Sequence, residues 1–149
     1  MANFLTTGRK ALVAALKADP TLDAAVRYWF DWAGGLRKRK ALEPNLCPLV
    51  SIAPAEGGVE RNANVIRDIP QVLQVDVADE GDDVSQVEEL VVAVIEVINV
   101  ASETRLGLVA EGLANVTITG INWSAVPAEE GARIIWVCSV MVRLLYKRP

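Results

Sequence analysis

The longest apolar pattern in the chain runs from Asp82 to Glu103. Its apolar residues recur at three- and four-residue intervals, which places them along one side of an α-helix: Val84, Val87, Leu90, Val91, Val94, Ile95 and Ile98. The opposite side is polar and carries Glu88, Glu89, Glu96 and Asn99. Asp82 and Asp83 can cap the first free amides, where the helix dipole favours negative charge. The pattern predicts a long helix whose valine-rich side packs on another layer of the protein.

Alternation of apolar and polar residues predicts the strands of that other layer. The stretches with this pattern, or with a short apolar run between prolines, are Leu22–Ala33, Leu49–Ala53, Gln71–Ala78, Asn115–Trp123 and Ala132–Tyr146. Both sides of the last stretch are mostly apolar, which is typical of a strand in the middle of a sheet or of one covered by another subunit.

The amino-terminal segment is predicted to be an amphipathic helix. Thr6 or Thr7 can cap it, and it should run to about Ala18, because the residue before Pro20 is disfavoured in helical geometry. The order of elements predicts an α+β two-layer sandwich, in which the N-terminal helix and one long helix pack on a mainly antiparallel or mixed sheet of about five strands. We expect one domain over residues 1–149, with flexible loops near residues 34–46 and 55–68.

Composition limits what the protein can be. Hydrophobic residues make up 52% of the 149 residues, yet no apolar run approaches the length of about 20 that spans a bilayer. Arg9, Lys10 and Lys17 interrupt the first helix, so no secretion signal is predicted. The apolar surplus indicates either a core rich in alanine and valine or a surface that is buried against other subunits. The net charge of −4 gives no support to general nucleic-acid binding.

Candidate chemistry is sparse. Histidine is absent, and Cys47 and Cys138 are the only cysteines, which argues against a zinc site and removes the usual general base. Both cysteines are expected to be reduced thiols, with Cys138 in the core. No glycine-rich phosphate-binding motif occurs. We therefore expect no catalytic, cofactor or metal site; the carboxylates of Asp76, Asp79 and Glu80 are the best candidates if the protein is an enzyme.

Three features are candidate interface residues. Trp29 lies on the polar side of its predicted strand, where it is covered either by this chain or by a neighbouring subunit. A double glycine precedes a basic cluster of Arg37, Lys38, Arg39 and Lys40, which is either a solvated turn or a contact for an acidic surface or phosphates. An acidic turn carries Asp79, Glu80, Asp82 and Asp83. We hypothesise that the basic and acidic segments face each other across a subunit boundary.

The layout resembles that of the tail terminator (tail completion) proteins of long-tailed bacteriophages. The similar segments are Thr6–Ala18, Pro48–Pro54, Gln71–Ala78, Asp82–Glu103, Val116–Trp123 with its Gly120-Ile121-Asn122-Trp123 motif, and Arg133–Tyr146. These segments cover most of the chain, and order and spacing carry the resemblance.

The resemblance implies a structural protein of the virion tail that assembles in the host cytoplasm. It would form a homohexameric ring that binds the tail tube protein, stops tube growth and presents a surface to the head-side connector, with no membrane contact and DNA at most passing through the lumen. A head-to-tail ring uses two different faces of each subunit. The alternatives are another neck or baseplate ring component, or a small ligand-binding or regulatory α+β module.

Overall fold

The computed structural model describes residues 3–30, 47–59, 68–81, 84–127 and 134–147. Its helices are α1 (Phe4–Ala18), α2 (Pro20–Ala25) and α3 (Ser85–Thr104), and its strands are β1 (Tyr28–Phe30), β2 (Leu49–Val59), β3 (Asp68–Glu80), β4 (Leu113–Pro127) and β5 (Ile134–Lys147). Two single turns of 3₁₀-helix, Arg105–Gly107 and Val109–Glu111, connect α3 to β4.

The strands form one mixed sheet in the order β1-β2-β3-β5-β4. β1 runs parallel to β2, and every other neighbouring pair is antiparallel. One N-terminal helix and one longer helix accompany this five-stranded sheet, so the predicted α+β class is confirmed.

The two faces of the sheet carry separate apolar clusters. The larger cluster joins strand residues such as Val75 and Val140 to residues of α1, α2 and α3, and we call this side the helix face. The smaller cluster, on what we call the second face, contains no residue of a described helix. Its members are Phe30, Cys47, Leu49, Ala78, Ile135 and Val137.

Helix α3 packs through the predicted stripe. Val87, Leu90, Val91, Val94 and Ile98 are buried, whereas Ile95 is half-buried. The glutamates of the opposite side are exposed, as predicted. The N-cap residue is Val84, which makes no side-chain cap bond; the predicted caps, Asp82 and Asp83, lie outside the described residues.

Helix α1 begins earlier than predicted. Its cap is Asn3, whose Oδ1 accepts hydrogen bonds from the amides of Leu5 at 3.0 Å and Thr6 at 3.4 Å. The expectation of a cap at Thr6 or Thr7 was therefore wrong, because the amide side chain of Asn3 reaches the free amides one turn sooner.

The stretch predicted as one strand over Leu22–Ala33 begins instead with helix α2. Asp19 caps this helix by accepting the Leu22 amide at 3.0 Å, and Pro20 occupies its first turn, where its missing N–H costs nothing. Strand β1 follows at Tyr28. Tyr28 is exposed, whereas Phe30, on the same side of the strand, is buried.

Strand β2 is longer than predicted and enters the expected loop at 55–68. It passes through Pro54 to Val59, with a register shift against β3 between those two residues. β1 pairs only with Leu49–Ser51, so β2 has no described neighbour on that side from Ile52 onward. Proline is tolerated at such an edge because it needs no N–H partner there. The other predicted loop, 34–46, lies outside the described residues.

Replacing Gly112 with alanine should destabilise the protein more than the same change at Gly107. Both glycines have positive φ, at +93° and +69°, which costs about 1 kcal/mol for alanine. A Cβ at Gly112 would lie 2.6 Å from the Lys147 carbonyl oxygen, whereas nothing lies within 4 Å at Gly107. We expect about 1–3 kcal/mol of additional loss for Gly112→Ala in urea unfolding. Equal losses at both positions would contradict the clash.

Candidate interaction surface

Trp29 is half-buried at the edge of the sheet. Its side chain packs against the helix-face cluster, and the Lys17 Nζ of α1 lies 5.9 Å from the ring centroid. This chain therefore supplies part of the cover, which was one of the two predicted alternatives. Contact with a neighbouring subunit stays a prediction.

The acidic segment is less exposed than its composition suggests. Asp79 is 8% exposed, and its Oδ1 accepts the Glu80 amide at 2.8 Å. Burial raises the pKa of the Asp79 carboxyl above its ordinary value, and the nearby charge of Glu80 adds to the increase. Glu80 is half-buried. Arg37, Lys38, Arg39, Lys40, Asp82 and Asp83 lie outside the described residues, so the charge pairing stays a prediction.

Asp79→Asn should stabilise the protein at neutral pH. A carboxyl whose folded-state pKa is raised contributes stability while protonated, and this contribution is lost as pH rises from the ordinary value of 3.8 through the folded pKa. Asparagine keeps the acceptor for the Glu80 amide without the charge. Melting temperatures measured from pH 3 to pH 7 test this. The variant should melt at a higher temperature than wild type near pH 7 and at the same temperature near pH 3. Exposed Glu103→Gln is the control; a gain for Asp79→Asn that does not change with pH would contradict the explanation.

A buried polar row crosses the second face. Ser51, Asp76 and Ser139 are in register on β2, β3 and β5, and all three are fully buried. Ser139 Oγ donates to Asp76 Oδ1, and the Gln74 amide donates to both Asp76 oxygens at 2.9 and 3.0 Å. Because successive side chains alternate along β3, Asp76 and Asp79 point to opposite faces. These two enzyme candidates do not share a site.

Neither thiol is placed for nucleophilic chemistry. Cys138 lies fully buried in the helix-face cluster, as predicted, and Cys47 lies buried in the second cluster. Burial, with a smaller effect from Asp79 and Glu80, raises the pKa of the Cys47 thiol to about 12. A thiol that stays protonated is a poor nucleophile and metal ligand. Among the described residues, no group of three His, Cys, Asp or Glu side chains could hold a metal ion.

The end of the β4–β5 hairpin exposes large apolar side chains. Ile121 and Trp123 on β4 pair in register with Val140 and Cys138, so they project from the helix face, yet they are 42% and 45% exposed. Ile134 on β5 is 48% exposed, and Trp136 beside it is half-buried. The helices therefore do not cover this end of the sheet. We call Ile121, Trp123, Ile134 and Trp136 the hairpin patch.

The hairpin patch lies beside an edge of the sheet. β4 is the outermost strand of the part of the sheet that the structure describes, and none of the fifteen residues in Leu113–Pro127 is charged. Soluble proteins usually protect long edges with charges, prolines or bulges. Two register irregularities, at Leu113/Asn115 and Ile118/Gly120, interrupt the strand, but the segment from Gly120 to Pro127 is regular. Alternation in the sequence predicted the strand, although it could not identify it as the edge.

A surface groove of about 540 Å³ separates α1 from α3. Its walls are mainly small or apolar, including Ala11, Ala15, Val97, Val100 and Ala101, with Asp19, Glu96 and Thr104 as polar members. Val100 is 58% exposed. No charged group on these walls is fully buried, so the groove lacks the convergent polar groups that fix a small ligand.

Exposed apolar side chains and a strand without charge are features of an interaction surface, and among the described residues they lie together on the β4–β5 hairpin. None of the described helices is long and apolar enough to cross a membrane. The sequence matches no protein-family model and no curated protein sequence.

Proposed function

We propose that this protein is a structural assembly protein of a bacteriophage tail, a tail terminator that forms a homohexameric ring on the end of the tail tube. The ring stops tube polymerisation and offers its other side to the head-side connector. This proposal builds on the order and spacing of the sequence segments, and the exposed side chains of the hairpin patch support it.

The observation that carries the proposal is the hairpin patch. Isolated exposed apolar residues are normal on a protein surface, but a contiguous group with two tryptophans is typical of an interaction site. Tryptophan is also enriched among the residues that dominate binding energy at protein interfaces. Burying these partly exposed side chains against a partner removes apolar surface from water, and in the proposed ring that partner is a second copy of the chain.

The experiment is imaging of the purified protein alone and with preformed tail tubes. We expect rings of about six subunits in negative-stain micrographs, tubes with a ring at one end, and tube growth that stops when the protein is added to polymerising tube subunits. The control is an unrelated ring-forming protein of similar size. A protein that stays monomeric by light scattering and leaves tube growth unchanged is not a terminator.

The second candidate, another neck or baseplate ring component, gives a different result in the same experiment. Such a protein also forms rings, but it does not bind the growing tube end. Rings that leave tube length unchanged would therefore favour the second candidate over the first.

A further inference from the structure

We propose that the hairpin patch of one subunit docks into the groove between α1 and α3 of the next copy. This groove, which we call the helix groove, has a volume of about 540 Å³. The docking rests on the proposed ring, because it identifies the two surfaces of each subunit that meet there. Its partner is a second copy of this chain.

The two surfaces are complementary in shape. On the hairpin patch, the exposed side chains of Trp123 and Ile121 project from a strand. The helix groove is concave, and small side chains such as those of Ala11 and Ala15 line it. Pockets of roughly 300–1,000 Å³ hold drug-sized molecules, so this groove has room for an indole ring and a neighbouring aliphatic side chain. Tryptophan side chains that enter such recesses are frequent hot spots of protein interfaces.

Both surfaces leave apolar area in water in the single chain. Trp123 and Ile134 are exposed on the hairpin patch, and Val100 is exposed on the wall of the helix groove. Docking removes these side chains from water together, which is favourable by about 25 cal/mol for each Å² of apolar area that is buried. Each surface therefore provides the cover that the other lacks.

The polar groups of the two surfaces also match. The residues of the hairpin patch are uncharged, and the indole nitrogen of Trp123 donates a hydrogen bond but accepts none. The carboxylates of Asp19 and Glu96 on the groove wall only accept. Asp19 Oδ2 already accepts the Leu22 amide, which leaves the exposed Glu96 as the acceptor for the indole. An acidic partner would be repelled by the same two carboxylates.

The hairpin patch and the helix groove share no residue, so the contact is head-to-tail. Such contacts propagate, and they form a closed ring when the rotation between subunits closes. Each chain supplies one patch and one groove, so every member of a closed ring has both surfaces covered. The rival arrangement packs two patches together about a twofold axis. It stops at a dimer and leaves both grooves open.

Charge variants test the two halves of the contact separately. Trp123→Glu places a charge on the patch and Val100→Glu places one on the groove wall, and each should weaken subunit association at least about tenfold in sedimentation experiments. Asn122→Glu is the control for the first, because Asn122 is exposed on the opposite face of β4. Val92→Glu is the control for the second, because Val92 is exposed on α3 about two turns before Val100 and outside the groove.

The controls should change association less than about twofold. Val92→Glu and Val100→Glu both lie one turn from Glu96, so repulsion within the helix affects both variants. Melting temperatures show that all four variants fold. An equal effect of Val92→Glu and Val100→Glu would overturn the docking, because the loss would then come from the helix and not from the groove.

Mixing the two interface variants distinguishes the head-to-tail contact from the twofold arrangement. The Trp123→Glu chain keeps an intact groove, and the Val100→Glu chain keeps an intact patch. At a concentration where each variant alone is monomeric, an equal mixture should form one-to-one dimers through the single contact that remains. In the twofold arrangement Val100→Glu would still dimerise by itself and the mixture would form no new dimer, which would overturn the docking.

Failure of the docking is distinguishable from failure of the proposed function. Rings that cap tubes and are unaffected by Val100→Glu would overturn the docking and leave the terminator role intact. Wild-type rings that ignore tube ends, together with mixed dimers of the two variants, would do the reverse. A wild-type chain that stays monomeric would overturn both proposals.

Discussion

Replacing Ile98 with alanine is expected to lower the free energy of unfolding by about 2–5 kcal/mol. Ile98 is 1% exposed and lies on α3 in the helix-face cluster, where strand residues surround it. The change removes three buried carbon atoms and leaves a cavity that a rigid sheet cannot collapse to fill. Chemical denaturation followed by tryptophan fluorescence measures the loss.

The same helix supplies the matched controls. Ile95→Ala makes an identical chemical change at a half-buried position, and Val92→Ala removes an exposed side chain. We expect the loss to decrease from Ile98 through Ile95 to Val92, with the last near zero. Alanine has the better helix propensity, so some stabilisation could even appear at Val92. A similar loss at Ile95 and Ile98 would mean that α3 is rotated relative to the packing described above.

The position of α3 could be predicted because a single helical period accounts for the whole pattern of apolar and polar residues. Over five turns, one side carries valine, leucine and isoleucine and the other carries glutamate, so the 3.6-residue period stands out from local noise. The ends were harder to place, since Val84 begins the helix without a side-chain cap bond. Strand β3 was similarly clear at its centre, where Leu73, Val75 and Val77 alternate with polar residues and all three are buried.

The segment after Pro20 could not be assigned correctly from alternation alone. Pro20 ends α1, but with Asp19 it also starts α2, and a six-residue helix is too short to give a clear period. The alternating aromatic residues after Val26 belong to a strand, and the predicted strand wrongly included the residues before them, which are helical. An aspartate followed by proline is itself a signal of a helix start, and Asp19-Pro20 is the signal for α2.

The interaction surface could not be predicted from sequence periodicity, because it depends on the order of the strands and on where the helices end. Trp123 was visible in the sequence as part of a strand, but its exposure follows from where the helices stop and from β4 being outermost. Strand order arises from contacts between residues far apart in sequence, such as Trp123 with Cys138. The absence of charge in Leu113–Pro127 is visible in the sequence. That this uncharged strand lies at the edge of the described sheet is known only from the order of the strands.

Gly8→Ala should destabilise the protein in the wild-type background and much less in a Tyr146→Phe background. Gly8 is buried on α1, and a Cβ there would overlap the Tyr146 hydroxyl of β5. That hydroxyl cannot easily move, because it lies 3.1 Å from Gln71 Oε1 and 3.3 Å from the Phe4 carbonyl, and the ring packs edge-on against Phe4. We expect Gly8→Ala to cost about 1–3 kcal/mol despite its better helix propensity.

Tyr146→Phe alone should also be destabilising, by about 1–3 kcal/mol, because it removes a donor to the buried Gln71 Oε1. In the double variant the overlapping hydroxyl is gone, and the nearest remaining atoms to the new Cβ are the Tyr146 ring carbon and Leu144 Cδ2, each at 3.1 Å. The double variant should therefore be more stable than the sum of the single losses predicts, by about 0.5–3 kcal/mol.

Urea unfolding of the four proteins measures this coupling, and Ala14→Gly on the exposed side of α1 calibrates the helix propensity difference separately. Strict additivity would show that α1 moves away from β5 to accept the methyl group. Since Gln71 Nε2 donates to the Leu5 carbonyl at 2.9 Å, such a movement would break a hydrogen bond between the helix and the sheet. The favourable coupling is expected because removing the Tyr146 hydroxyl relieves the overlap without moving α1, so the hydrogen bond between Gln71 and the Leu5 carbonyl is kept.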